Sequence, residues 1–306
     1  MSAPAWTMPT GSVSSRARSV ESPKMTITAD FLPSSRQLAS RATGVNPWRA
    51  ARLKPLLPLI VPVAIVAIWQ LAASLGWISS RLMPAPTDVA RAFWEHTISG
   101  ELLADIEASS ARAFAGLLVG GSIGFLLGLL NGMSRLSHAL TDTTLQMVRT
   151  IPHLALIPLV IIWFGIGEEA KLFLTALGVF FPIYLNTAHG VRSVDPQLIE
   201  MGQVYGMNRW TLFRRVIFPG ALPSIFIGLR FSLGIMWLTL IVAETIAASS
   251  GIGQMANNAR EFMQTDVVVL TLVIYALLGK LADVIAKFLE RTTLQWNPAY
   301  QKPSEA

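Results

Sequence analysis

The 306-residue sequence contains no cysteine, which excludes disulfide bonds, thiolate metal sites and a cysteine nucleophile. Charged residues are also scarce: they make up 14% of the chain, against about 25% in a soluble globular domain. Hydrophobic residues make up 52%, and the mean hydropathy is +0.51. The charged residues are too few to cover the surface of a soluble protein of this length. The composition therefore predicts an integral membrane protein.

The net charge of +6 is confined to the N-terminal part of the chain. Residues 1–54 carry eight Lys or Arg and two acids, whereas basic and acidic residues balance in the remainder. The first 45 residues lack the apolar run of a secretory signal peptide, and their composition is typical of disorder. We predict a disordered basic tail over 1–50, a neutral membrane domain over 51–292 and a short C-terminal tail over 293–306. A neutral body argues against nucleic acid as a partner.

A helix needs about 17–25 apolar residues to cross the hydrocarbon core, and six apolar segments are long enough. They cover residues 56–75, 111–131, 150–166, 171–189, 221–247 and 267–286. With a cytoplasmic N-terminus, the cytoplasmic side holds seventeen Lys or Arg and the opposite side four. The positive-inside rule therefore predicts a multi-pass protein of the cytoplasmic membrane with both termini in the cytoplasm. The outer loop 84–110 has apolar residues at helical spacing and is predicted to form one or two amphipathic surface helices.

Glycine recurs at every fourth residue in and just beyond the second segment. The positions are Gly116, Gly120, Gly124, Gly128 and Gly132. Lipid gives no hydrophobic drive for helix association, so small residues that allow close backbone approach are a main route to packing. This stripe predicts a tight helix–helix contact, and a pore-facing groove that admits a ligand is the alternative.

The longest loop on the predicted cytoplasmic side, residues 190–220, has a helix–glycine–helix pattern. Asp195 followed by proline is typical of a helix N-terminus, and Gly206 can end that helix in the left-handed conformation. Asn208 predicts the cap of a second helix over 209–218, which the following Pro-Gly pair would end. The first helix would carry apolar residues on one face: Leu198, Met201 and Tyr205. Such a face implies a surface to pack on, either the bilayer or another protein.

This loop resembles the EAA motif of ABC importer permeases, Glu-Ala-Ala-x3-Gly-x9-Ile-x-Leu-Pro. Glu200, Gly206 and Pro219 match it, while Met201 and Gly202 stand at the two alanines. In that family the loop forms a coupling helix that docks in a groove of the ATPase subunit. The resemblance implies the same role for the residues around 195–209.

The resemblance to this family extends over about residues 50–300. It implies an all-α membrane protein with the type I ABC importer transmembrane fold, which is MetI-like, and no catalysis or cofactor in this chain. The implied partners are a second permease copy, the ABC ATPase subunit and a periplasmic or lipoprotein substrate-binding protein.

Several stretches are similar to members of the family that carry aliphatic sulfonates. They cover 149–166, 220–253, 258–269, 275–284 and 296–300. The substrate class implied is an alkanesulfonate. Taurine, nitrate and a thiamine-precursor pyrimidine remain alternatives for the same architecture.

Motifs of other functional classes are missing from the sequence. No Gly-x4-Gly-Lys-Ser/Thr occurs, which fits a permease whose ATPase is a separate chain. The four histidines show no pairing at metal-ligand spacing, and no serine-nucleophile or zinc-protease motif is present, so a membrane enzyme is disfavoured. An ion-coupled secondary transporter is the other class, and the lack of a detectable inverted repeat weighs against it.

Ionisable residues inside predicted spans are costly and need partners. Lys280 and Asp283 lie three residues apart on one helix face, so we predict a structural pair. Glu244 lies near the outer end of the fifth segment, where it either lines the translocation route or makes a structural contact. The candidates for the translocation pathway are Glu244, Trp237 and Thr239.

Overall fold

A computed structural model of the chain describes residues 57–79 and 82–297. The chain divides between Val61 and Pro62 into two units. Residues 57–61 are the described part of the first unit, and they form the start of one helix. The predicted basic tail over 1–50 lies outside the described residues, as does most of the predicted C-terminal tail.

The described residues form helices joined by short turns, with no β-strand among them. The α-helices are α1 (Leu57–Ser74), α2 (Pro86–Ile98), α3 (Glu101–Met133), α4 (Arg135–Thr150), α5 (Ile157–Phe164), α6 (Glu168–Arg192), α7 (Pro196–Val204), α8 (Arg209–Leu212), α9 (Phe218–Ala247), α10 (Ile252–Glu261) and α11 (Thr265–Thr293). A 3-10 turn, His153–Leu156, precedes α5, and a π-helical turn, Phe213–Ile217, joins α8 to α9. The predicted all-α class is confirmed.

Four helices of the described chain are long and apolar enough to cross a membrane. They are α3, α6, the continuous run Arg209–Ile246 and α11. A fifth candidate is α4 together with His153–Phe164, a pair bent by 79°. The first predicted span, at α1, is a shorter apolar helix. The predicted six spans therefore correspond to four long helices, one broken pair and one shorter helix, so the count of six is approximate.

The third predicted span, 150–166, is not a single helix. Pro152 has no amide hydrogen and disfavours helical backbone at the residue before it, so α4 ends at Thr150. The chain restarts as a 3-10 turn and then as α5, which accommodates Pro158 in its first turn. Pro152 therefore breaks the segment into two pieces instead of kinking one helix, and Pro158 lies within the second piece.

Of the one or two helices predicted within 84–110, the structure has one separate helix, α2. The predicted second span starts earlier than expected, because Gly100, with φ of 82°, is followed directly by the 33 residues of α3. Pro219 does not end the helix after Asn208. It lies in the first turn of α9, where its missing N–H costs least, and the π-helical turn before it keeps the run helical.

The glycine stripe of α3 packs against α6, as predicted. A Cβ atom added at Gly124 would lie 2.6 Å from the carbonyl oxygen of Phe180, and one at Gly128 would lie 2.7 Å from Cβ of Thr187. Both distances are far below van der Waals contact, so these positions admit only glycine without a shift of the helices. Close backbone approach of this kind is what small residues provide between membrane helices.

We expect Gly124→Ala to lower the thermal stability of the detergent-purified chain. The added methyl group meets backbone, which cannot rotate away, and overpacking of this kind costs about 1–3 kcal/mol. The matched control is Gly234→Ala on α9, where an added Cβ has no heavy atom within 4 Å. Thermal unfolding followed by tryptophan fluorescence measures both, and equal melting temperatures would contradict the packing described for the stripe.

The apolar core lies between α9 and α11 and is closed at one end by α10. Met236 and Leu240 of α9, Leu270 and Ile274 of α11 and Ile252 of α10 are all buried in it. Because α10 follows directly on α9, its first backbone N–H groups lie beside the last turn of that helix. This packing places backbone donors beside Glu244, at the end of α9 that lies away from α7.

Candidate functional site

The segment with the EAA-like motif folds as the capped helix that the sequence predicts. Asp195 begins α7, with its Oδ1 accepting a hydrogen bond from the Gln197 amide at 2.9 Å. Gly206 follows the helix with φ of 73°, a left-handed conformation that costs glycine little. Asn208 then caps α8, with its Oδ1 accepting from the Thr211 amide at 2.8 Å. These three local predictions are confirmed.

One face of α7 exposes a row of large apolar side chains. Leu198 is 46% exposed, Met201 49% and Tyr205, directly after the helix, 76%. Val204 beside them is 87% exposed. Contiguous exposed apolar surface on a capped, well-formed helix is typical of an interaction site.

Beside this exposed face, α7 packs on α8 through Gly202. A Cβ atom at Gly202 would lie 2.6 Å from Cδ1 of Leu212, so the absence of a side chain lets the two helices approach closely. Glu200 is exposed on α7, and Pro219 lies half-buried in the first turn of α9. All six predicted coupling residues therefore lie at the same end of α9.

The opposite end of α9 holds a buried carboxylate, Glu244, which is 1% exposed. Its oxygens accept hydrogen bonds from Ser109 Oγ at 2.8 and 2.9 Å, Arg112 Nη1 at 2.8 Å, the Gly253 amide at 3.0 Å and Tyr275 Oη at 2.9 Å. Helices α3, α9, α10 and α11 therefore meet at one carboxylate. A buried charge needs this degree of pairing, because an unpaired one is strongly destabilising.

Arg112 extends the network to α6 and to the loop before α10. Its Nε and Nη2 donate to the two oxygens of Glu168 at 2.6 and 3.0 Å, and Nη1 donates to the Ser250 carbonyl at 2.7 Å. Lys171 Nζ contacts the same Glu168 carboxylate at 2.7 Å. This geometry favours the structural-contact interpretation of Glu244 over a pathway role, which stays a prediction.

The other two pathway candidates are also buried in the single chain. Trp237 is 6% exposed and packs edge-on against Tyr275, with ring centroids 6.2 Å apart. Thr239 is fully buried, and its hydroxyl is 3.0 Å from Nε2 of His153 in the turn before α5. The structure does not gather the three candidates into one cluster, and a pathway role for Trp237 and Thr239 stays a prediction.

Three basic side chains contact the Asp283 carboxylate, and the predicted partner, Lys280, is the most distant of them. Lys280 Nζ lies 3.9 Å from Asp283, whereas Lys287 Nζ is 2.7 Å and Arg230 Nε 3.2 Å from it. Arg230 also contacts Glu290 at 3.3 Å. Arg230 therefore pairs α9 with α11. Sequence reasoning missed this contact because its partners are more than fifty residues away.

Known proteins with similar sequences are membrane transport subunits. The profile of the family described as binding-protein-dependent transport system inner membrane component matches residues 120–295. The chain is 59% identical to the putative aliphatic sulfonates transport permease protein SsuC of Escherichia coli over 259 residues, which are 85% of this chain and 97% of that protein. It is 44% identical to the protein of the same name from Bacillus subtilis over 79% of this chain and 88% of that protein. It is 34% identical to the taurine transport system permease protein TauC of Escherichia coli, over 78% of this chain and 88% of that protein.

The fold is also similar to that of a solved structure. The crystal structure of an amino acid ABC transporter with histidines aligns with a TM-score of 0.55 at 16% identity, covering 65% of this chain and 97% of that one. At this identity the likeness concerns the fold alone, and it agrees with the predicted importer permease architecture. The resemblance carried by the EAA-like loop is confirmed. The chain belongs to the family of binding-protein-dependent transport system inner membrane components.

Proposed function

We propose that the chain is the membrane-spanning permease subunit of an ATP-driven ABC importer for aliphatic sulfonates. The observation that carries the transport mechanism is the exposed apolar face of α7. The substrate class is supported by two relatives, 59% and 44% identical, whose names give aliphatic sulfonates. A third relative, 34% identical, is named for taurine, which is itself a short sulfonate.

The apolar face of α7 is the docking surface for a separate ATPase subunit. Exposure of Leu198, Met201 and Tyr205 to water is unfavourable unless a partner covers these side chains. The helix has rigid ends, because Asp195 caps its start and Gly206 turns the chain away after it. A short rigid helix of this kind transmits the motion of its partner instead of absorbing it.

The route from the docking surface into the membrane is continuous. Contact between Gly202 and Leu212 joins α7 to α8, and Arg209–Ile246 runs as one helix into the spans. Closure of an ATPase dimer on ATP would therefore displace α7 and move α9 with it. Such movement of packed, rigid elements is a common basis of switching between two states.

Orientation and assembly follow from the same assignment. The α7 end lies in the cytoplasm with both termini, in agreement with the distribution of basic residues. The Glu244 end then faces the substrate-binding protein. A second permease copy and lipid cover the apolar side chains that α9 exposes, which include Ile227, Phe231 and Leu238.

Competition for uptake tests the substrate class. Cells that lack sulfonate uptake, supplied with this chain, its ATPase and its binding protein, are expected to accumulate labelled ethanesulfonate. Excess butanesulfonate should suppress this accumulation, whereas excess nitrate or a pyrimidine should not. Uptake of nitrate or a pyrimidine in place of the sulfonate would overturn the assignment.

A further inference from the structure

The break between α4 and α5 borders a cavity of about 350 Å³. Its walls come from the end of α4, the 3-10 turn, the middle of α6 and the middle of α9. Non-helical backbone at membrane depth is tolerated where it is buried in protein or lines a cavity. The break at Pro152 therefore coincides with the kind of space that such a backbone requires.

The cavity combines apolar walls with a single cationic group. Leu177, Phe181, Phe231 and Ile235 are among its apolar lining residues, and Arg149 lines it from the last turn of α4. No Asp or Glu lines this cavity. Among the described residues, Arg149 forms no ion pair within 4.0 Å. The electrostatics thus favour an anion, and the walls favour an alkyl chain.

A second polar group at the cavity is held in a fixed position. Nε2 of His153 lies 3.0 Å from the Thr239 hydroxyl, which can donate to it. The hydroxyl can donate or accept, and in the tautomer in which Nε2 accepts, Nδ1 carries the ring proton and can donate to an anion. Asn186 also lines the cavity. Its Nδ2 donates a hydrogen bond to the Pro182 carbonyl, and this bond fixes the orientation of the side-chain amide.

Two other cavities at the level of the spans lack this combination. One, of about 450 Å³, lies between α3 and α6 and has an acidic group, Glu169, on its wall. The other, of about 510 Å³, is lined by apolar residues and Ser122. Neither has a cationic lining residue. The presence of Arg149 therefore singles out the cavity at the helix break.

We propose that this cavity is a binding subsite for aliphatic sulfonates within the permease. Arg149 pairs with the sulfonate group, His153 donates a hydrogen bond to it, and the walls from α6 and α9 hold the alkyl chain. A volume of about 350 Å³ lies in the range of small-molecule sites. The inference rests on the proposed function and deepens it: the permease itself selects for an anionic head and for a limited chain length.

The test uses the complete complex of permease, ATPase and binding protein in proteoliposomes. Initial uptake rates are measured for unbranched sulfonates from ethanesulfonate to octanesulfonate. Arg149→Gln is expected to reduce uptake about tenfold, the factor expected for loss of a charge-assisted hydrogen bond, and Arg149→Lys should restore most of it. Arg135→Gln, which removes an exposed charge from the other end of α4, is the matched control and should transport as the unmodified chain does.

A second variant tests the apolar wall. Ile235→Phe places a larger side chain on the cavity wall. It should shorten the longest alkyl chain that is transported and leave ethanesulfonate uptake close to normal. If the unmodified complex accumulates no alkanesulfonate, the proposed function fails. If it does accumulate them, but Arg149→Gln behaves like Arg135→Gln or Ile235→Phe leaves the chain-length profile unchanged, the subsite is overturned and the proposed function stands.

Discussion

Replacing Glu244 with alanine is expected to destabilise the folded chain by about 3–5 kcal/mol, the range measured when one member of a buried ion pair is removed. The substitution removes the buried carboxylate that pairs with Arg112 Nη1, while Nε and Nη2 keep their bonds to Glu168. It also removes the shared acceptor of Ser109, Gly253 and Tyr275. We expect loss of monodisperse protein in size-exclusion chromatography and a lower melting temperature in detergent.

The matched control for this variant is Glu107→Ala. Glu107 lies on α3, two residues before Ser109, and is exposed. Its removal should leave both the chromatographic profile and the melting temperature unchanged. If Glu244→Ala were as stable as Glu107→Ala, the carboxylate would not hold the four helices together.

Glu244→Gln separates the structural interpretation from a pathway role. Glutamine keeps one acceptor oxygen but loses the charge opposite Arg112, so a structural role predicts that stability and uptake fall together. A pathway role predicts normal stability and assembly with impaired uptake. Measuring uptake per molecule of folded permease decides between the two.

Met201→Glu on the apolar face of α7 is expected to abolish ATPase docking. The side chain is 49% exposed in the single chain, so the variant should fold normally. Docking would bury an unpaired carboxylate against apolar surface, which costs about 3–5 kcal/mol and lowers affinity by about a hundredfold or more. Co-purification of the ATPase with the permease and ATP-dependent uptake should both be lost.

Gln203→Glu supplies the matched control for the docking surface. Gln203 lies two residues further along the same helix, on the face away from Leu198 and Met201, and is exposed. It adds the same charge without entering the apolar face, so the ATPase should remain bound. Normal docking by Met201→Glu would instead support the alternative in which this face lies on the bilayer.

Local signals in the sequence were sufficient for the coupling segment. Asp195, Gly206 and Asn208 act on backbone groups within three residues of themselves, so their effect is readable from the chain alone. The predicted helix end at Pro219 is wrong. Proline ends a helix in its interior but is accommodated in a first turn, and the π-helical turn before Pro219 places it in a first turn.

The buried polar contacts could not be predicted in the same way. Glu244 is 135 positions from Ser109 and 132 from Arg112, and nothing in either segment specifies the other. The sequence showed only that a carboxylate near the end of an apolar run needs a partner. The glycine stripe predicted a close contact of α3, and the fold then identified α6 as the helix it meets.

ATP-dependent transport across the membrane of proteoliposomes tests the central claim most directly. The vesicles contain this chain, its ATPase facing outward and its binding protein enclosed, with labelled ethanesulfonate supplied on the binding-protein side and its export from the lumen followed. We predict transport only when all three proteins and external ATP are present, and none with Met201→Glu. Transport driven by a proton or sodium gradient without ATP would contradict the account and indicate an ion-coupled transporter.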